Sequence, residues 1–187
     1  MSRAYRIRVS EKLSRVVHVE DGVQTKLELL NILPRPELAE ILAEELEKEG
    51  FTREEDVMER VDEEGVRVRV NLEDGTVTVD ASEERELNLE AERSGVVWEE
   101  LLEQAREAMT NEANEELEEQ ADVEERALQE LVNRKLERRL ESTKEDLDKA
   151  VNRTTAEALK RRAAQLGEIQ EIHEDAESGG LTIRVKV

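Results

Sequence analysis

The stretch from Val66 to Asp80 decides the fold, because it places two alternating apolar runs on either side of one turn. It reads Val-Arg-Val-Arg-Val-Asn-Leu-Glu-Asp-Gly-Thr-Val-Thr-Val-Asp. Valine at every second position is typical of a strand with one buried face. Asp74-Gly75 is typical of a hairpin turn, since glycine accepts a positive φ without steric cost. The stretch therefore predicts an antiparallel β-hairpin.

The alternation continues on both sides of this hairpin. Val57 and Val61 lie on a predicted strand that turns at Glu64-Gly65, and Leu87 to Ala91 alternate apolar and polar residues. Three or four adjacent antiparallel strands make a β-meander, and its apolar face needs a cover. Leu38, Ile41, Leu42 and Leu46 form one apolar stripe, which predicts a covering helix over 36–49 that ends at Gly50.

The N-terminal segment also predicts strands. Tyr5, Ile7 and Val9 alternate with arginines, and Val17 and Val19 continue the pattern. Asp21-Gly22 predicts a hairpin turn after them.

Ser94-Gly95 predicts a boundary, after which residues 97–166 contain neither proline nor glycine and have a helical composition. Residues 83–130 carry a net charge of −14 and residues 131–162 a net charge of +4. Opposite charges predict that the two halves fold back as a helical hairpin or small bundle.

Capping boxes at Asp122/Glu125 and Ser142/Glu145, or the polar run 110–114, would supply the breaks between the helices of this hairpin. The hairpin would place Leu117, Ala121, Leu128 and Leu131 against Leu136, Leu140, Leu147, Val151 and Ala158. The alternative is that the acidic face binds another molecule.

The C-terminal residues Leu181 to Val187 alternate as a strand, which we expect to return to the N-terminal sheet. The predicted fold is thus α+β: a meander covered by a helix, with a long inserted helical hairpin and a returning terminal strand. The predicted domains are 1–95 for the sheet, 96–167 for the helical segment and 168–187 for the terminal β segment.

Composition excludes several kinds of protein. The net charge of −21 opposes binding to nucleic acid and to anionic lipid. The absence of cysteine excludes disulfides, zinc-thiolate sites and thiol nucleophiles. No apolar run reaches the length of a membrane span and no secretory signal is present, so a cytoplasmic location is expected.

Histidine offers one candidate for metal chemistry. His18 precedes Glu20, and His173 precedes Asp175, so each imidazole has a carboxylate nearby that could help to ligate Zn, Mn or Fe. Carboxylates are so frequent in this chain that such neighbours arise by chance, and no nucleophile elbow, Walker loop or dinucleotide motif is present. We therefore predict no catalytic residue and no cofactor, with the two histidine clusters as a metal-site alternative.

Trp98 is the only tryptophan, and it is predicted to lie at the start of the helical segment beside Val97 and Leu101. One interpretation is a packing contact between helix and sheet. The other is an interface anchor, because tryptophan is enriched where proteins bind one another.

Three segments carry a family resemblance: Ser2 to Val9, Val17 to Gly22, and Leu29 to Pro36. They resemble the start of small accessory domains of bacterial FtsH ternary systems, in which a MoxR-type ATPase, a von Willebrand A protein and an FtsH-like protease are encoded together. The resemblance implies an accessory or adaptor role beside an ATPase or protease, and it transfers no catalytic residue.

The favoured hypothesis is a non-enzymatic protein-interaction module whose partner is a protein. Three alternatives stay open: a metal-dependent enzyme using His18 and His173, an acidic mimic of nucleic acid, and a structural protein that assembles with itself through the helical segment.

Overall fold

A computed structural model describes residues 3–174 and 180–186, and it has the predicted α+β class. A five-stranded antiparallel sheet has the order β1-β5-β4-β3-β2, and a separate sheet pairs β6 with β7. The strands are β1 Ala4–Lys26, β2 Thr52–Glu54, β3 Val57–Val61, β4 Arg67–Asn71, β5 Thr76–Trp98, β6 Glu168–Glu174 and β7 Leu181–Lys186. The helices are α1 Arg35–Lys48 and α2 Leu102–Leu166, and the 3-10 turn Glu99–Leu101 precedes α2.

The described residues form two units, which we call the ribbon unit and the meander unit. The ribbon unit contains residues 3–21 and 82–134, and the meander unit contains residues 22–81, 135–174 and 180–186. The long strands β1 and β5 and the helix α2 each contribute residues to both units.

In the ribbon unit, β1 and β5 form a two-stranded antiparallel ribbon against the first half of α2. Burial alternates along both strands, so odd-numbered residues face inward and even-numbered residues face solvent. Ala91 of β5 packs with Ala113 and Leu117 of α2, and Leu13 and Leu89 adjoin this cluster. Two strands alone are marginal in water, so the helix supplies the apolar partner that the ribbon needs.

In the meander unit, the predicted β-meander is confirmed. Met58 of β3 pairs with Val70 of β4, which in turn pairs with Val77 of β5. These three side chains are fully buried. The turns at Gly65 and Gly75 have φ of 81° and 74°, the conformation for which glycine was predicted there.

Helix α1 is confirmed, and its predicted apolar stripe is buried. Gly50 has φ of 85°; its N–H donates to the carbonyl of Glu47, and the N–H of Phe51 donates to that of Leu46. This pair of bonds is a Schellman motif, and it ends the helix at the position predicted from Gly50. Leu38 and Ile41 pack with Ala158 of α2, so α1 is held by the long helix within this unit.

The predicted hairpin turn at Asp21-Gly22 is wrong, because β1 continues through both residues as one 23-residue strand. A Cβ atom on Gly22 would lie 2.9 Å from the carbonyl oxygen of Val79. The glycine therefore permits close approach of the neighbouring backbone instead of a positive φ. The predicted boundary at Ser94-Gly95 is wrong for a similar reason, since β5 runs without a break to Trp98.

The predicted helical hairpin is also wrong, because α2 is one helix of 65 residues. Asp122, Ser142 and the run 110–114 lie inside it, and the Ser142 hydroxyl donates to the carbonyl of Arg139 in the preceding turn. The buried residues recur at intervals of 11, as in Ala121, Val132, Thr143 and Thr154, and in Leu136, Leu147 and Ala158. An 11-residue repeat corresponds to about 3.67 residues per turn and keeps one stripe on one face. The apolar residues that were expected to face one another across a hairpin thus share one stripe.

The C-terminal strand does not return to the N-terminal sheet within the described residues. β7 instead pairs antiparallel with β6, with Ile172 opposite Ile183 and His173 opposite Thr182. Adjacent strands close a hairpin with little loss of chain entropy, which favours this local pairing over a distant one.

Candidate interaction surfaces

The end of the ribbon carries an exposed apolar surface. Val96 and Trp98 occupy consecutive outward positions of β5 and are 66% and 55% exposed, and Leu101 in the following turn is 48% exposed. The N–H of Glu99 donates to the carbonyl of Arg3 at 3.0 Å, which ties the end of β5 to the start of β1. We call Val96, Trp98 and Leu101 the terminal apolar patch.

The three predicted interaction residues differ in their exposure to solvent. Trp98 and Leu101 are exposed, whereas Val97 is half-buried because it lies at an inward position between them. Val96 was not among the predicted residues, although it lies on the same face of β5 as Trp98. The two-residue spacing from Trp98 would have identified it, since alternate residues of a strand share one face.

The outward face of the ribbon is a polar ladder between a basic strand and an acidic one. Arg8 of β1 contacts Glu92 of β5 at 2.8 Å, and Lys12 contacts Glu90 at 3.5 Å. Both pairs are largely solvent-exposed, so they contribute little to stability. Their consequence is alignment, since opposite charges across strands favour one register.

The histidines do not form a recognisable metal centre among the described residues. The imidazole nitrogens of His18 lie 3.9 Å from Glu20 and from Glu84, beyond hydrogen-bond distance. His173 belongs to β6 in the meander unit, and Asp175 lies outside the described residues. In the part of the chain that the structure describes, no group of three or more His, Cys, Asp or Glu side chains is arranged to hold a metal ion.

The acidic half of α2 contacts arginines of its own ribbon. Arg15 of β1 reaches Glu118 at 3.1 Å, Arg85 of β5 reaches Glu124 at 2.8 Å, and Arg93 pairs with Glu116. Arg15 and Arg93 are partly buried, so the arginines join the seam between ribbon and helix. Acids that were predicted to pair with the second half of the helix are thus satisfied by the sheet.

The basic half of α2 shows the reverse arrangement in the meander unit. Arg139 reaches Asp62 in the β3–β4 turn at 2.6 Å, and Arg153 reaches Glu49 after α1 at 2.9 Å. Lys135 donates to the carbonyl of Glu64 at 2.8 Å. Arg60 of β3 is an exception, since it reaches Asp146 of α2 at 3.1 Å. Apart from this pair, the change of charge along α2 matches a change in the charge of the groups that each half contacts.

Two carboxylates of the meander unit have lowered pKa values. Arg53 of β2 makes a bidentate pair with Glu40 of α1, at 2.8 and 2.9 Å, and this hydrogen bonding holds the Glu40 pKa below its usual range. The N–H of Thr76 donates to Asp74 at 2.8 Å and likewise lowers the Asp74 pKa. Both groups fasten local elements, and neither has the raised pKa expected of a general acid.

A family model described as FtsH ternary system domain X5 matches residues 1–187. The chain belongs to this family. The resemblance that the N-terminal segments predicted is confirmed, and it extends over the whole sequence. Comparisons with curated proteins and with solved structures give no match. No helix among the described residues combines the length and the apolar composition needed to cross a membrane.

Proposed function

We propose that this FtsH ternary system domain is a non-enzymatic adaptor that binds a protein partner through the terminal apolar patch. The observation that carries the proposal is the exposure of Trp98 beside Val96 and Leu101, on a chain in which 41% of residues are charged. Large apolar side chains clustered at the surface are typical of binding sites, and tryptophan is the residue most enriched at their centres.

Family membership supports the kind of partner. The family is one of FtsH ternary system domains, so the proposed partner is an ATPase or protease of such a system. The proposed partners do not include nucleic acid, since a net charge of −21 repels a phosphate backbone.

The test is affinity purification of the tagged full chain from its native cells, followed by mass spectrometry. We expect an ATPase or protease at stoichiometric levels with the native chain. Trp98→Ala should reduce that recovery by about tenfold or more, because hot-spot tryptophans contribute at least about 2 kcal/mol to binding. Val16→Ala, another exposed apolar residue on the ribbon, is the matched control and should recover the partner normally.

Two outcomes would contradict the proposal. Equal recovery with the native chain and with Trp98→Ala would remove the terminal apolar patch from the interface. Recovery of the chain alone would favour the structural protein that assembles with itself.

A further inference from the structure

One edge of β5 is open in the ribbon unit. β4 pairs with β5 only from Val77 to Asp80, whereas β1 accompanies β5 on the other side. Among the described residues, no strand is found to pair with residues 84–98 on the side away from β1. An unpaired strand edge presents a row of N–H and C=O groups that can accept another strand.

The register identifies which residues present these groups. Directly after β5, the N–H of Glu99 donates to the carbonyl of Arg3, which precedes β1. Directly before β5, the carbonyl of Gly75 accepts from the N–H of Leu27, which follows β1. Gly75 and Glu99 flank β5 at odd-numbered positions. The buried residues of β5 also all lie at odd-numbered positions: Val77, Val79, Ala81, Leu87 and Ala91. In an antiparallel strand, the backbone N–H and C=O groups of successive residues point to opposite edges. The even-numbered residues from Glu84 to Glu92 therefore direct these groups to the open edge.

The surroundings of the open edge are acidic. Residues 82–98 contain five glutamates and two arginines, and both arginines pair with α2. On the inward side, a groove runs between β5 and α2, with Leu89 and the exposed Val123 as its apolar part. Its remaining lining residues are Glu116, Glu119, Gln120 and Glu124.

The strand that already pairs with β5 indicates which chemistry this edge favours. Residues 4–19 of β1 contain four basic residues and one acid, and Arg8 and Lys12 contact the outward glutamates of β5. The inward residues of β1, such as Val17 and Val19, are apolar and buried. A strand on the opposite edge would meet the same acidic outward face and an inward groove that is also partly apolar.

We propose that the open edge of β5 binds an extended basic segment of another protein by β-strand addition, with basic and apolar residues alternating along that segment. Backbone hydrogen bonds to the even-numbered residues provide the attachment. Arginine or lysine toward the outward glutamates selects the partner. The proposal rests on the proposed adaptor function and adds a second contact, separate from Trp98.

A second copy of this chain is the competing occupant, since its own β1 is basic. Pairing two copies would bring together two chains that each carry a net charge of −21. That repulsion opposes self-assembly in the absence of high salt. A β5–β5 pair is less favourable still, because it would place glutamates opposite glutamates.

The test uses the full chain and a fluorescent nine-residue peptide of alternating arginine and valine, with binding followed by anisotropy. We expect saturable binding, and no binding of a peptide in which glutamate replaces arginine. A third peptide, N-methylated at every second amide, keeps its charges but loses its edge donors. It should bind at least about tenfold more weakly if strand addition provides the attachment.

Position 86 supplies matched protein variants. Glu86→Pro removes an N–H that points to the open edge and leaves the ladder with β1 intact, so the chain should fold as the native protein does by circular dichroism. We expect it to weaken peptide binding by about tenfold or more. Glu86→Ala removes the same charge but keeps the donor, and should weaken binding by about threefold or less.

Equal binding of the N-methylated peptide, or of Glu86→Pro, would overturn strand addition and leave only charge attraction. Self-association of the native chain that Glu86→Pro abolishes would assign the edge to a second copy. Trp98→Ala should bind the peptide normally, because the residues from Glu84 to Glu92 do not include the terminal apolar patch. Failure of the Trp98 experiment can therefore be distinguished from failure of this one.

Discussion

The two units share helix α2, and the half of α2 in the ribbon unit is acidic whereas the half in the meander unit is basic. In the ribbon unit, α2 presents acids to arginines of the strands, as in the pair of Arg15 with Glu118. In the meander unit, it presents bases to acids of a turn and of α1, as in the pair of Arg139 with Asp62. Such pairs are individually weak, but a wrong match would place like charges together. The comparison teaches that the charges along α2 complement those of the elements that each half contacts.

The two units also differ in their cores. In the meander unit, the fully buried side chains include Ile41, Leu42 and Met58. In the ribbon unit, alanine is frequent in the core, as at Ala91, Ala113 and Ala121. Small side chains bury less apolar area and therefore contribute less to stability.

The largest expected effect is in the meander core. Leu42→Ala should lower the free energy of unfolding by about 2–5 kcal/mol, because it leaves a cavity at a fully buried position. Leu117→Ala in the ribbon core should fall near the lower end of that range. Chemical denaturation measures both, and Leu30→Ala, at a residue 62% exposed, should change stability by about 0.5 kcal/mol or less. A larger loss at Leu117 than at Leu42 would reverse the comparison of the cores.

Charge reversal at the ribbon seam should have the next largest effect. Arg15→Glu would place a carboxylate beside Glu118, Asp122 and Glu125, and we expect a loss of about 2–3 kcal/mol in the free energy of unfolding. Adding Glu118→Arg should restore part of the loss by returning opposite charges to the seam. Chemical denaturation of the native chain, the two single variants and the double variant gives the coupling free energy between positions 15 and 118. An effect that high salt does not reduce would argue against an electrostatic origin.

Two glycines offer the same substitution with different neighbours. Gly22→Ala should destabilise by about 1–3 kcal/mol, because the new methyl would meet the backbone of Val79 at 2.9 Å. In Gly95→Ala the methyl would meet the terminal methyl of Met109, which can move aside. We expect a change of about 0.5 kcal/mol or less there, since fewer unfolded conformations offset the contact. Thermal melts would contradict this if the two variants behaved alike.

The smallest expected effect is a pH dependence in the meander unit. Because pairing with Arg53 lowers the Glu40 pKa in the folded protein, its contribution to stability is present above the unfolded pKa, near 4.5, and is lost as the pH falls through the folded value. Urea midpoints of Glu40→Gln should therefore decline less on acidification than those of the native chain. Arg53→Gln should flatten the profile equally, and the double variant no further. If the urea midpoints of these variants changed with pH by different amounts, another titrating group would be responsible.

Much of the meander was predictable because its patterns are local. Alternating valines, and glycines at positions 50, 65 and 75, each require one backbone conformation whatever surrounds them. The family resemblance was likewise present in short segments. Val96 in the terminal apolar patch was missed because β5 was divided at Ser94-Gly95, which hid its two-residue spacing from Trp98.

The sequence by itself determined the α+β class, the meander with its turns, the end of α1 and the exclusion of thiol chemistry. Only the tertiary structure decided that α2 is unbroken, that Gly22 lies within a strand and that β7 pairs with β6. The physical reason is that Asp122, Ser142 and Gly22 are compatible with a cap or turn and equally with a continuous element. Which conformation forms depends on the residues that pack against the segment. For α2, each half packs against apolar side chains and pairs with side chains of opposite charge.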